Sequence, residues 1–299
     1  MTRKLTLLLL CLALCLSCLP AWAQNAPVTV IDMTGRSITL EEPVTRIVAL
    51  TASDCEILYA IGAGGALVGR GAYCDYPEAI LEVPVVNSGA QTNLEEVVAL
   101  TPQVVLMATM AQTEEQVATL EAAGIHVVVS DAHDIDGVYT SIALLGALMG
   151  KDAEAAALVD QMKSAFTAVS EQTVDSGKTV YFEVSPLEWG LWTAGKGTFM
   201  DELAGMCGLT NAFADVDGWA QISEEQVLQR DPDYIVTIAM YFGDGPLPVD
   251  EIKGRTGWGG LSAVVNDRIL NADSDEISRP GPRLENAVNM LFQFVYGEE

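Results

Sequence analysis

The sequence predicts an α/β protein, two lobes with largely parallel sheets joined by one long rigid helix. Short β-rich runs alternate with helical patterns through most of the chain. That order calls for parallel strands with crossover helices. A motif in the first half, "NLEEVVALTPQVVLM" at 93–107, returns in the second as "ISEEQVLQRDPDYIVTI" at 222–238. Between the two copies, residues 152–174 contain neither Gly nor Pro.

The chain opens with Arg3 and Lys4, then an apolar run from Leu5 to Leu19, then "AWAQ" with small residues at Ala21 and Ala23. This is the pattern of a secretory signal cleaved after Ala23, so residues 1–23 are read as a signal peptide and the mature protein as extracytoplasmic. Cys15 and Cys18 stand where a lipoprotein signal would place its acylated cysteine, which keeps a lipid anchor open as an alternative. After Ala23 no apolar stretch approaches the ~20 residues of a membrane span.

The N-terminal lobe, residues 28–151, is built from "RIVAL", "DCEILYAIGA", "VVLMA", "TEEQVATLEAAG" and "IHVVVS". In 152–174 the apolar residues Ala155, Leu158, Val159, Met162, Phe166 and Val169 recur at helical spacing. A helix of this length is about 34 Å long and spans a domain. The C-terminal lobe, 177–299, follows with "KTVYFEVS" and "YIVTIAMY" as strands, and "TFMDELAGMCG" and "RLENAVNMLFQFVYG" as helices.

In the repeated motif Asn93 and Ser223 are N-caps, and Glu96 and Gln226, three residues on, complete capping boxes. Pro102 and Pro232 mark where each helix stops. Capping leaves Glu95 and Glu225 unexplained. The helix dipole favours a first-turn carboxylate by about 0.3–1 kcal/mol, but this does not account for a matched pair on both lobes.

With 299 residues, 50% hydrophobic and 12 prolines, the chain buries a large core and is not disordered. Its formal charge of −26 becomes −28 without Arg3 and Lys4, which argues against nucleic acid as a partner. Three of the six cysteines, Cys55, Cys74 and Cys207, follow the cleavage point. Their spacing is neither a disulfide framework nor a zinc motif, and they allow at most one bridge within a chain.

Enzyme signatures fail one by one. "GLWTAGKGT" places Gly190, Gly195 and Lys196 like a P-loop, yet Gly197 stands where Ser or Thr must hold magnesium. Thr198 reads instead as the cap of the next helix. The two histidines, His126 and His133, are too few for a triad or a zinc cluster. Cys74 has no neighbouring histidine to activate it. No catalytic residue, cofactor or structural metal is assigned.

Binding chemistry gathers in expected loops: Tyr73 in "AYCDYP", Trp189 and Trp192 in "PLEWGLWTAG", Trp219 in "DGWAQ", Tyr241 in "MYFGDG", and Arg279 and Arg283 in "SRPGPR". Loops outside strand ends are where open α/β sheets bind ligands. Flat rings suit a large, partly apolar ligand, and arginines suit its carboxylates or phosphates.

Together, "RIVALTASDCEILYAIGAGGALVGRGAYCDYP", "NLEEVVALTPQVVL", "GWAQISEEQVLQRDPDYIV", "WGGLSAVVNDRIL" and "SRPGPRLENAV" resemble the periplasmic binding proteins of ABC importers for ferric siderophores and cobalamin, over about residues 28–296. The resemblance implies a metal chelate, siderophore-bound iron or a corrinoid, held between the lobes by a monomer. It also implies delivery to a membrane permease dimer, with Glu95 and Glu225 docking onto permease arginines. Tyr73 and Trp219 match cleft aromatics of cobalamin binders, whereas Gly89 and Ala108 stand at two positions where those binders carry tryptophan. Haem is an alternative ligand, with Tyr73, His133 or Met110 as axial candidates. A sensor or an enzyme on the same scaffold also stays open.

Overall fold

The structure is a computed structural model and describes residues 27–88, 92–109, 113–240 and 245–297. The expected signal peptide and the candidates Gly89, Met110 and Tyr241 lie outside the described residues.

In the first half a hairpin of β1 (Val28–Ile31) and β2 (Ser37–Leu40) precedes β3 (Ile47–Ala49), α1 (Ala52–Ala60), β4 (Leu67–Gly71), β5 (Val85–Val86) and α2 (Leu94–Ala99). Then come β6 (Val104–Met107), α3 (Glu114–Ala122), β7 (His126–Val129) and α4 (Ile135–Met149). The long helix α5 (Asp152–Gln172) leads to β8 (Lys178–Ser185), β9 (Trp192–Ala194), α6 (Phe199–Met206), β10 (Leu209–Asn211), β11 (Trp219–Gln221) and α7 (Glu224–Arg230). The chain closes with β12 (Tyr234–Thr237), α8 (Pro248–Gly254), α9 (Ser262–Val265), β13 (Ile269–Asn271), α10 (Ser274–Ser278) and α11 (Leu284–Tyr296).

The first lobe holds a sheet of order β5-β4-β3-β6-β7, parallel throughout. The second has the order β11-β9-β8-β12-β13 with β10 also on β8; β10, β8, β12 and β13 are parallel, and β9 and β11 form an antiparallel ribbon. In the first sheet the winding reverses between β3 and β6, and in the second between β8 and β12. A crevice opens outside the carboxyl ends of strands at such points.

Helix α5 lies against α4 of one lobe and α6 and α11 of the other. Its buried residues Ala155, Met162, Phe166 and Val169 belong to one apolar cluster running from Ile47 and Leu106 through Leu145 to Phe182 and Leu291. The α4–α5 crossing is close because Gly146 has no side chain; a Cβ there would sit 2.5 Å from that of Ala155. Thus α5 is continuous with both cores. Two smaller clusters cover the other sheet faces, one with Val97 and Val105, the other with Val227 and Ile235.

The repeat survives in three dimensions. Val97 and Val227 are fully buried, and Glu95 and Glu225 are exposed at the starts of α2 and α7. Thr101 and Asp231 both adopt left-handed backbone, φ 48° and 45°, directly before the two prolines, and so end the helices as αL residues do. The capping boxes differ. Ser223 and Gln226 exchange bonds of 2.9 and 3.4 Å, whereas Asn93 caps Glu96 N while the Glu96 carboxylate accepts from Asn87 N at 3.3 Å. The expected box at Asn93 is therefore half formed, because the Asn93 amide is already spent on the Asn87 carbonyl.

Candidate ligand cleft and docking residues

The loops after the parallel strands bring the lobes together at two places. On one side, Phe199 N at the start of α6 donates to the His133 carbonyl at 2.9 Å, and Ile135 N donates to Glu202 Oε2 at 2.7 Å. On the other, Glu56 on α1 accepts from two arginines of the second lobe: Arg283 by Nη2 at 2.7 Å and Nε at 2.9 Å, and Arg279 by Nη1 at 3.1 Å. Arg279 also reaches Asp75 at 2.8 Å and Asp275 at 2.7 Å. Arg283 lies 4.4 Å over the Tyr76 ring.

The centre of this cluster is nearly dry, while Asp75 and Asp275 at its edge are 52% and 33% exposed. Side-chain exposure is 2% for Glu56 and 12% for each arginine. Burial works against both guanidinium charges, but Asp75 and Glu56 around Arg279, and Glu56 around Arg283, outweigh it and hold both pKa values above the ordinary one. Arg279 and Arg283, expected to meet a ligand, are thus turned to carboxylates of the first lobe. Sequence reading missed Glu56. Its signal was a carboxylate inside the apolar run "CEIL", a position that requires buried cations.

The candidate rings are exposed to different degrees. Tyr73 is 81% exposed on the loop after β4, and Trp189 is 74% exposed on a single 3-10 turn after β8. In the β9–β11 ribbon Trp192 stands opposite Gln221 and Trp219 opposite Ala194. Cross-strand partners share a face, so the two indoles are diagonal neighbours on one surface. Trp219 is held by the Phe199 ring at 5.4 Å, the residue whose amide meets His133. Tyr73 lies with the arginine cluster, on the opposite side from the Trp192–Trp219 pair.

The glycines of the P-loop-like stretch position this ribbon. Gly195 N donates to Gly218 O and Lys196 N to Val216 O, at 2.8 and 2.7 Å. A Cβ on Gly195 would fall 2.1 Å from Val216 O, so the close approach fixes Trp219 beside β9. Thr198 caps α6 through Asp201 N.

At the first lobe's reversal point, Thr51 and Thr109 face acidic neighbours. The Thr51 hydroxyl bonds Asp54, and the Thr109 hydroxyl bonds Asp131. His133 Nε2 lies 3.8 Å from Asp131. Asp54 is fully buried, one of its oxygens has no partner, and burial pushes its pKa up to about 6. The thiols of Cys55, Cys74 and Cys207 are free and buried. Among the described residues no cluster of His, Cys, Asp and Glu is arranged to hold a metal ion, and no helix is long and apolar enough to cross a membrane.

This architecture, two α/β lobes braced across a loop-lined cleft, defines a class of extracytoplasmic solute-binding proteins. The chain belongs to the periplasmic binding protein family, whose model matches residues 47–276. It is 34% identical over 277 residues to an uncharacterized ABC transporter substrate-binding lipoprotein of Bacillus subtilis, covering 90% of this chain and 86% of that one. A cobalamin-binding protein of Halobacterium salinarum is 30% identical over 281 residues, 89% and 75% of the two chains. A solved structure described as a possible iron-binding, periplasmic solute-binding protein of Staphylococcus epidermidis superposes with a TM-score of 0.73 at 30% identity, covering 85% of this chain and all of that one. Members of this family serve ABC importers as their substrate-binding component.

Proposed function

We propose that the protein captures a metal chelate, a ferric siderophore or a corrinoid, between its lobes and delivers it chemically unchanged to a membrane ABC permease. The observation that carries this reading is the pair of indoles, Trp192 and Trp219, on one face of the ribbon, with Trp189 and Tyr73 also exposed. Four rings left wholly or partly exposed suit a broad, partly flat ligand. The relatives described as cobalamin-binding and iron-binding support the same class of ligand.

On this reading the working units are the lobes 28–151 and 177–299, with the helix at 152–174 setting their separation. Glu95 and Glu225, exposed in the first turns of α2 and α7, dock onto cationic side chains of the permease. Titrating the purified mature protein with cobalamin, haem and ferric siderophores, followed by tryptophan fluorescence, tests the assignment. At least one should quench the indoles saturably and be recovered with its mass unchanged; silence from all three would remove the chelate reading.

A further inference from the structure

Cations of the second lobe's arginine loop reach the cleft already neutralised. Arg279 and Arg283 share three carboxylates, Glu56, Asp75 and Asp275. Both arginines are therefore committed to partners within the chain. At Glu56 an incoming anion would have to displace a carboxylate that is 2% exposed, and breaking such a pair is costly; Asp75 and Asp275, 52% and 33% exposed, hold Arg279 more weakly.

The rest of the chain supplies little to replace them. Of the 15 lysines and arginines, all but Arg3 and Lys4 are described, and the undescribed stretches 89–91, 110–112 and 241–244 contain none. Arg36, Lys178, Arg230 and Arg255 are paired with carboxylates. Arg46 and Arg70 donate to backbone carbonyls. Among the described residues Lys196, beside Trp219, is exposed and has no ion-pair or cation–π partner.

Acceptors, by contrast, are plentiful at the strand ends. Beyond Asp75, which Arg279 already holds, Asp131 and Glu188 stand on the loops after β7 and β8, and the two threonine hydroxyls bound to Asp54 and Asp131 are turned to carboxylates. A cleft of exposed rings edged with carboxylates attracts N–H donors and repels anions.

We infer that the cleft selects a chelate with an uncharged or cationic rim, carrying amide or hydroxamate groups, and rejects chelates rimmed by carboxylates or catecholates. This rests on the proposed function, whose ligand class it narrows. The arginines brace the lobes, and selectivity comes from the acceptors and rings.

A matched set of probes tests it on the mature protein: a corrinoid with its amide side chains, the same corrinoid hydrolysed to carboxylates, a ferric trihydroxamate, and a ferric tris-catecholate. Calorimetry should show the amide corrinoid or the trihydroxamate, whichever fits the cleft, binding at least tenfold tighter than its anionic counterpart. The variant Asp75→Asn, which releases one bond of Arg279 at an exposed position, should narrow that gap by raising affinity for the anionic probes. An anionic probe that binds as tightly as, or tighter than, its counterpart overturns the inference and leaves the chelate-binding reading standing. Failure of all four probes to bind sinks both.

Discussion

The indole nitrogen of Trp258 donates to Glu224 Oε2 at 2.8 Å, one residue before the exposed Glu225. Trp258 is fully buried, the Arg255 guanidinium lies 4.5 Å over its ring, and Arg255 in turn bonds Glu183 on β8 at 2.6 and 2.9 Å. The first turn of α7 is thereby tied to the interior of the second lobe. Trp258→Phe keeps an aromatic ring but removes the bond and leaves a void where the indole was larger, at about 2–3 kcal/mol of stability. Uptake in cells should fall severalfold while chelate affinity of the purified variant stays within about twofold.

Reversal of Glu95 and Glu225 to Lys should abolish uptake and leave chelate affinity within about threefold, because both carboxylates are exposed and bond no described residue of the candidate cleft. Equal loss of binding in a direct titration would place these residues in the cleft and end the docking assignment.

Trp192→Ala and Trp219→Ala each remove a ring from the same face. Loss of about 1.5–3 kcal/mol of contact predicts affinity lowered by roughly tenfold to a hundredfold for either variant. Trp219→Ala should show the larger effect, since Phe199 fixes that ring before ligand arrives. Calorimetry on the two variants gives the comparison.

Glu56→Gln leaves two guanidinium groups in a nearly dry site without their shared counter-charge. A loss of about 3 kcal/mol is expected in denaturant unfolding. Arg283→Ala should cost less, because Arg279 remains on Glu56 at 3.1 Å.

Asp54 sets a pH dependence. Its folded-state pKa, about 6, exceeds the ordinary 3.8, so the native state holds the proton more tightly than the unfolded chain. Its contribution is fully present below pH 4 and is lost as pH rises through 6, a change of about 3 kcal/mol. Asp54→Asn should flatten the stability profile between pH 4 and 7. It should also raise unfolding free energy at pH 8 relative to wild type.

Much of the fold was legible because its signals are local. Ser223 and Gln226, three residues apart, announce a helix start whatever surrounds them. The run from Ala155 to Val169 shows its buried stripe in its own periodicity. Thr198 was separable from a magnesium ligand by its neighbour Gly197 alone. The arginines were not legible in this way. Arg283 and Glu56 meet across a sequence separation of 227, and nothing near "SRPGPR" distinguishes a guanidinium facing a ligand from one facing the opposite lobe. The half-formed box at Asn93 was hidden for the same reason, since Asn87 takes the part assigned to the helix. Ring exposure was legible only in part: the alternation in "WTA" puts Trp192 and Ala194 on one face, but the pairing that sets Trp219 beside them comes from the ribbon.

The Glu56 brace and the α5 strut also bear on supply and demand at the membrane. On the proposed docking, a buried ion cluster and a continuous helix that resist lobe movement would have an unloaded copy present Glu95 and Glu225 much as a loaded one does. Unloaded copies would then compete with loaded ones for the same permease, and import flux would track the fraction of the pool that is occupied rather than its total abundance. Overproducing the protein when chelate is scarce would slow import.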